Sequence, residues 1–127
     1  MARTIDNWRA FPDFTEAEFR CRHTGRCEMH PEFMRKLQHL RSVFGKPMVI
    51  TSGFRDPSHP VEASKRAGGE HTTGRAADIA IQGPDALRLI KLAADLGFTR
   101  VGVQQKGAGR IIHLGDSPDF PAGIWSY

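Results

Sequence analysis

The sequence predicts a small α+β domain with a mostly antiparallel sheet, and three observations indicate this class. Two long segments carry apolar residues at helical spacing, four short segments are β-branched and bounded by Gly or Pro, and a Gly-bearing link joins the last two as a hairpin. The order is helix, strand, strand, helix, strand, strand. We therefore expect a sheet of about four strands with helices packed against it.

Length and composition indicate one globular domain. The chain has 127 residues, of which 39% are hydrophobic and 25% charged, and a globule of this size buries roughly two thirds of its unfolded surface. We expect a single domain over residues 1–127, with residues 1–14 as an N-terminal arm packed through Trp8, Phe11 and Phe14. No apolar run approaches the roughly 20 residues needed to span a bilayer, so we do not expect the chain to insert into membranes. We also expect the protein to be a monomer.

The helices are predicted from capping residues and apolar stripes. Thr15 caps a short helix with Glu18 at its third position, and Gly45 ends a long helix over residues 31–44. The apolar stripe of this long helix comprises Phe33, Met34, Leu37, Leu40, Val43 and Phe44. A second long helix over residues 84–96 has the stripe Leu87, Ile90, Leu92 and Leu96 and ends at Gly97. His39 is expected on the surface.

The predicted strands are short and have clear breakers between them. They cover residues 48–52, 76–81, 100–104 and 110–114. Between the first two strands we expect a turn at residues 56–60 and a brief helix at residues 61–67. The tail that follows the last strand is rich in Pro and Gly, and we expect Trp125 and Tyr127 to dock it on the domain.

Charge and cysteines limit the function classes. The net charge of +4 and the pI near 9.5 suit an acidic partner, but Lys and Arg are scattered, so a nucleic-acid groove is not expected. Cys21 and Cys27 lie near His23 and His30 with a spacing that matches none of the usual zinc patterns. Reduced thiols are favoured over a structural zinc there.

The segment from Gly69 to Ile81 carries the strongest functional signal. It passes from a polar, Gly-rich loop into an apolar strand that contains Asp78. A carboxylate in such a strand requires a partner or a metal, and His71 is the nearest candidate in sequence. Because alternate residues of a strand share a face, Asp78 is flanked on its own face by small alanines, which leave room for an ion and a substrate.

His113 interrupts the last apolar strand in the same way. Placed beside Asp78 in one sheet, it would meet His71 arriving from the loop. Two imidazoles and a carboxylate suit zinc, and three protein ligands leave a position for a water whose pKa zinc can lower to about 7. The alternative is structural: Asp78 in a salt bridge with Arg75 or Arg110, and His113 as a core histidine.

Three ordered segments resemble one known family. HTTGRAAD, from His71 to Asp78, resembles the H-x-x-G-x-A-x-D signature of the zinc D-Ala-D-Ala metallopeptidases, which are related to lysostaphin-type peptidases and the hedgehog signalling domain. SGFR, which ends at Arg55, and the strand around His113 resemble two further family segments, and Trp125 suits the small single-domain branch. The resemblance implies a hedgehog/D-Ala-D-Ala peptidase-like fold and zinc bound by His71, Asp78 and His113.

The same resemblance implies hydrolysis of peptide bonds in bacterial cell-wall peptidoglycan next to a D-amino acid, by a D-Ala-D-Ala carboxypeptidase or an endolysin-type endopeptidase. The sequence departs from the family at Arg110, because members often have an acidic general base three residues before the final histidine. Asp116 is our first candidate for the catalytic carboxylate and Glu70 the second. Arg55 is the candidate substrate-binding residue, with bracing of its loop through Asp56 as the alternative.

The sequence also allows two other functions and indicates where the protein acts. The residue at position 110 motivates a catalytically inactive zinc-binding interaction domain of the same fold as the main alternative, and a basic nucleic-acid module ranks third. The first residues show no apolar segment with a small-residue cleavage site. We therefore expect a protein made in the cytoplasm without a signal peptide, which reaches the wall after phage lysis or as part of a phage particle.

Overall fold

The computed structural model describes residues 5–63 and 69–127. The described helices are α1 (Glu16–Phe19), α2 (Pro31–Phe44), α3 (Pro60–Ala63) and α4 (Gly83–Asp95). The described strands are β1 (Val49–Ser52), β2 (Ala76–Ala80), β3 (Arg100–Gln104), β4 (Ile111–Gly115) and β5 (Gly123–Ser126). Two 3-10 turns cover Trp8–Ala10 and Glu70–Thr73. The brief helix predicted for residues 61–67 is present as far as Ala63, and its remainder lies outside the described residues.

The strands form one five-stranded sheet in the order β1-β2-β4-β3-β5. Every neighbouring pair is antiparallel except β3 and β5, which are parallel. The predicted α+β class with a mostly antiparallel sheet is confirmed. The fifth strand, β5, lies in the tail, for which the sequence predicts only docking on the domain. The strand itself was not predicted because it forms by pairing with β3, a segment that is distant in the chain.

The core lies between one face of the sheet and the helices α2 and α4. Ala77 and Ile79 of β2 point into it, and so do Ile112 and Leu114 of β4. The helices contribute Phe33, Met34, Leu37, Leu40 and Phe44 from α2 and Ala86, Leu89 and Ala93 from α4. Because alternate residues of a strand point to opposite faces, Asp78 and His113 face away from the helices.

Two residues of the predicted apolar stripes are on the surface instead. Val43 is 45% exposed and Leu87 is 72% exposed, so their assignment to the core was wrong. In α4 the buried face runs through Ala86, Leu89 and Ala93. Alanine carries a weak hydrophobic signal in a sequence, yet its small side chain lets a helix lie close to a sheet. His39 is exposed as predicted.

The described part of the N-terminal arm packs as expected. Phe11 and Phe14 are buried, and Phe14 packs edge-on against Phe19. The backbone N–H of Thr15 donates to the Glu18 carboxylate at 2.7 Å, which completes the predicted cap of α1. No helix in residues 5–63 or 69–127 combines the length and apolarity needed to cross a bilayer.

Gly74 connects the predicted functional segment to the start of α2. Its φ is +75°, and its carbonyl accepts the His30 N–H at 2.9 Å. A Cβ at this position would overlap the carbonyl oxygen of Glu28 and lie 3.0 Å from the nitrogen of His30. The segment that carries His71 is thus packed directly on the backbone before α2.

We expect Gly74→Ala to destabilise the protein by about 3 kcal/mol, from the left-handed backbone and the steric overlap together. Gly45→Ala is the matched control, because φ there is +77° but no described atom lies within 4 Å of the added Cβ. This control should cost about 1 kcal/mol. Denaturant unfolding of both variants measures the difference, and equal losses would contradict the role of the overlap.

Candidate metal centre

The sheet register aligns one residue from each strand in a row across the face opposite the helices. Ser52 pairs with Asp78, Asp78 with His113, His113 with Gly102, and Gly102 with Trp125. The indole of Trp125 lies so close to Gly102 that a Cβ there would approach it to 2.8 Å. The glycine therefore lets the indole lie beside His113, at 5.2 Å between ring centroids.

The three predicted metal ligands lie together at the centre of this face. Asp78 Oδ1 is 2.9 Å from His113 Nδ1 and 3.3 Å from His71 Nε2. One ligand atom from each of the three residues can be chosen so that all lie within 4.8 Å of one another. All three side chains are buried.

The orientation of His71 follows from its place on the turn Glu70–Thr73. Its Nδ1 is 2.7 Å from the carbonyl oxygen of Gly53, the residue that follows β1. A carbonyl can only accept, so Nδ1 carries a proton, and Nε2 is the nitrogen that faces Asp78 and could bind a metal. Two imidazole nitrogens and a carboxylate converging in this way fit the nitrogen and oxygen ligand set of zinc.

The charges of the cluster support one another. Burial alone would raise the pKa of Asp78, but hydrogen bonds from His113 and His71 outweigh it and hold that pKa well below its usual range. Burial likewise opposes the charged form of His113, and its contacts with Asp78 and Glu70 raise its pKa above the ordinary value. The two histidines therefore favour the ionised form of Asp78, which contacts both of them.

The structural alternative for Asp78 does not describe this site. Arg75 pairs with Asp116 and Glu32, and Arg110 donates its Nε–H to the carbonyl of Gly107 at 2.9 Å. The interpretation of Asp78 as a salt-bridge partner of Arg75 or Arg110 was therefore wrong.

Asp116, the first candidate for the catalytic carboxylate, is held away from the cluster. Its Oδ1 is 2.8 Å from Arg75 Nε, and its Oδ2 is 3.0 Å from Arg75 Nη2 and 2.6 Å from Lys36 Nζ. Lys36 belongs to α2, so this carboxylate lies toward the helices. The structure does not bring Asp116 together with the three ligands.

Glu70, the second candidate, directly contacts the cluster. Its Oε1 is 2.7 Å from His113 Nε2, and its Oε2 accepts the backbone N–H of Ser117 at 3.0 Å. The residue is 5% exposed. Of the two acids considered from the sequence, Glu70 is the one that reaches the metal-binding residues.

Arg55 lies at the edge of the cluster and lines the same cavity. Its Nη1 is 3.0 Å from Glu62 Oε2, and its Nη2 is 3.9 Å from Asp78 Oδ2. Asp56 pairs with Arg26 instead, so the alternative of bracing through Asp56 was wrong. The bracing partner of Arg55 is Glu62, whose other oxygen accepts the N–H of Gly69 at 2.6 Å.

A cavity of about 700 Å³ opens over the cluster, a size in the range of ligand pockets. Its aromatic wall comprises Phe120, Trp125 and Tyr127, and its cationic groups are Arg55 and Arg100. From the sequence, Trp125 and Tyr127 were expected to dock the tail and Trp125 to suit the family resemblance, while Arg100 and Phe120 had no predicted role. The signal that was available is Gly102 in the middle of a strand, since an interior glycine often marks a close approach by another group.

The cysteine-rich segment shows no comparable arrangement. Cys21 and Cys27 are free thiols, and the Sγ of Cys21 accepts the N–H of Asp56 at 3.3 Å. Among the residues that the structure describes, the cluster of His71, Asp78 and His113 is the one group with a geometry able to hold a metal ion.

Two histidines and an aspartate at the base of an open cavity are typical of a catalytic metal centre, in which three protein ligands leave a position for water or substrate. The fold and the site thus define an α+β domain with one candidate metal centre among the described residues. Residues 12–115 match the family model described as Peptidase M15, and the chain belongs to this family of zinc metallopeptidases. The predicted resemblance is confirmed. No curated protein matches the sequence.

Proposed function

We propose that this protein is a zinc-dependent peptidase that cleaves peptide bonds of bacterial cell-wall peptidoglycan next to a D-amino acid. The observation that carries the proposal is the convergence of His71, Asp78 and His113 within 4.8 Å. These ligands line a cavity of about 700 Å³ in a chain of the Peptidase M15 family.

His71 Nε2, His113 Nδ1 and Asp78 Oδ1 are the atoms that would hold the metal. Zinc bound there supplies a Lewis acid that polarises a scissile carbonyl and makes water nucleophilic near neutral pH. Burial of all three ligands keeps their contacts in a low-dielectric surrounding, where charge stabilisation is stronger than in water.

The cavity wall supports a peptide substrate with a carboxylate. Arg55 has five N–H donors, of which one is directed to Glu62, so others can bind a substrate carboxylate or a developing oxyanion. The aromatic side chains of Trp125, in β5, and of Tyr127, just after β5, also line the cavity. They offer apolar surface for the small side chains of wall peptides.

A zinc-binding interaction domain without turnover is the second candidate. This candidate is favoured because both acids that could transfer a proton, Asp116 and Glu70, already have their carboxylate oxygens engaged. Both oxygens of Asp116 are paired with Arg75 or Lys36, and both oxygens of Glu70 contact His113 or Ser117. An acid engaged in this way is a poor general base unless its contacts change when substrate binds.

Digestion of purified peptidoglycan separates the two candidates. The zinc-loaded protein should release peptide fragments with new amines, lose this activity with a chelator and regain it with added zinc. Mass analysis of the fragments identifies the bond, because release of a terminal D-Ala indicates a carboxypeptidase and internal cleavage an endopeptidase. Binding of one zinc per chain without fragments from any wall chemistry would support the interaction domain. Absence of zinc binding would contradict both.

A further inference from the structure

The Glu70 carboxylate occupies a specific position on the far side of the His113 ring. His113 directs Nδ1 to Asp78 at 2.9 Å and Nε2 to Glu70 at 2.7 Å, so the two carboxylates lie at opposite ends of the imidazole. The backbone N–H of Ser117 donates to the second Glu70 oxygen at 3.0 Å. These contacts hold the carboxylate on the side of His113 that faces away from the other two ligands.

Gly115 makes room for this carboxylate. It lies two residues after His113 in β4, so both residues share a face of the sheet. A Cβ at position 115 would overlap the carboxylate carbon and both oxygens of Glu70. The φ of Gly115 is not positive, so the backbone conformation is one that other residues adopt. Glycine is required here because the Glu70 carboxylate occupies the position of a side chain, and not because of the backbone conformation.

Arg100 supports the same carboxylate from the neighbouring strand. It is the register partner of Gly115, and its Nε lies 3.0 Å from Glu70 Oε1, as an ion pair without the alignment of a hydrogen bond. Its guanidinium lies over the rings of Phe120 at 5.1 Å and Trp125 at 4.7 Å. The cation is thus held in place by aromatic stacking while it faces Glu70.

We propose that Glu70 is a positioning residue that orients His113 for metal binding, and that Gly115 is glycine because Glu70 fills the space of a side chain there. This inference rests on the proposed function. A carboxylate can only accept, so Glu70 holds a proton on Nε2, and Nδ1 is then the nitrogen left to bind the metal beside Asp78 when the metal displaces its proton. His71 is the converse case, since the Gly53 carbonyl holds the proton on Nδ1 and frees Nε2.

The assignment gives Glu70 a role different from proton transfer. Residues that hydrogen-bond metal-bound histidines typically change metal affinity about 10- to 100-fold when they are replaced. A general base would instead change kcat and leave zinc affinity nearly unaltered. Zinc affinity and turnover therefore separate the two roles.

The experiment measures zinc affinity of the full chain by competition with a chromophoric chelator, together with kcat on peptidoglycan peptides. Glu70→Gln keeps the size of the side chain, and we expect zinc affinity to fall about 10-fold, with a larger loss of up to about 100-fold for Glu70→Ala. Gly115→Ala should also weaken zinc binding, because the added methyl displaces the carboxylate. In Glu70→Ala this second change should have little further effect, since the space is then empty.

The most specific test is whether a substitution at position 115 restores the zinc affinity that is lost in Glu70→Ala. In the double variant Glu70→Ala with Gly115→Asp, the Cβ of the new aspartate lies where the Glu70 carboxylate is in the unaltered protein, so a carboxylate is again available beside His113. Zinc affinity should then recover by about 10-fold relative to Glu70→Ala. Imidazole ¹⁵N chemical shifts report the ring proton directly. In the zinc-loaded protein they should show His113 bound through Nδ1 with its proton on Nε2, and in Glu70→Ala a mixture of rings bound through Nδ1 and through Nε2.

Zinc affinity within twofold of the unaltered protein in both Glu70 variants would overturn the inference, as would a fall in kcat with affinity unchanged. Either result leaves the proposed function intact, provided that the unaltered protein binds zinc and cleaves peptides. Failure of the unaltered protein to bind zinc would instead remove the proposed function and this inference with it.

Discussion

Replacing His113 by alanine is expected to abolish the chelator-sensitive hydrolysis of wall peptides, with a loss of roughly 1,000-fold or more. The imidazole is buried at the centre of the cluster and provides one of its three ligand atoms. Loss of a ligand removes the Lewis acid from the site, and about 4 kcal/mol of transition-state stabilisation corresponds to this change in rate. Zinc content per chain and the rate of fragment release are the measurements.

His39→Ala is the matched control for this prediction. His39 is exposed on α2, away from the sheet face that carries the ligands, and its replacement should leave zinc content and rate unaltered. Because the loss of His113 also removes a partner of Asp78, circular dichroism checks the fold, and His71→Ala serves as an independent second variant. Chelator-sensitive hydrolysis within tenfold of the original rate in both ligand variants would contradict the assignment of the metal centre.

The second large effect is on stability, where Asp116→Ala should lower the free energy of unfolding by about 3 kcal/mol. The Asp116 side chain is 3% exposed and joins Arg75, which follows the Gly74 turn, to Lys36 of α2. Removing the carboxylate leaves two partly buried cations next to each other without their shared counter-charge. Denaturant unfolding at neutral pH measures the loss.

Asp85→Ala provides the comparison for an exposed pair. The Asp85 and Lys46 side chains are 45% and 57% exposed, so this change should cost less than about 1 kcal/mol. Activity gives a second readout, because Asp116→Asn should retain turnover at temperatures where the variant is folded. A loss of activity above about 100-fold with unaltered stability would mean that Asp116 acts in proton transfer, as the sequence suggested.

The local sequence was sufficient for the elements that the site requires. The apolar strand around Asp78, the Gly-rich loop that precedes it and the hairpin that carries His113 all have short-range signals, and the structure has each of them. The fifth strand and the close approach of Trp125 to Gly102 lacked such signals. Both depend on the pairing of segments far apart in the chain, which residue preferences do not determine.

The sequence by itself determined the α+β class, the family resemblance and a set of two histidines and one aspartate able to hold zinc. The tertiary structure alone decided which acid meets them. Asp116 is close to His113 in the chain, but an odd separation in an extended segment turns it to the helix side, where Lys36 and Arg75 bind it. Glu70 is 43 residues from His113 in the chain, and folding brings its carboxylate into the space that Gly115 leaves on the ligand face.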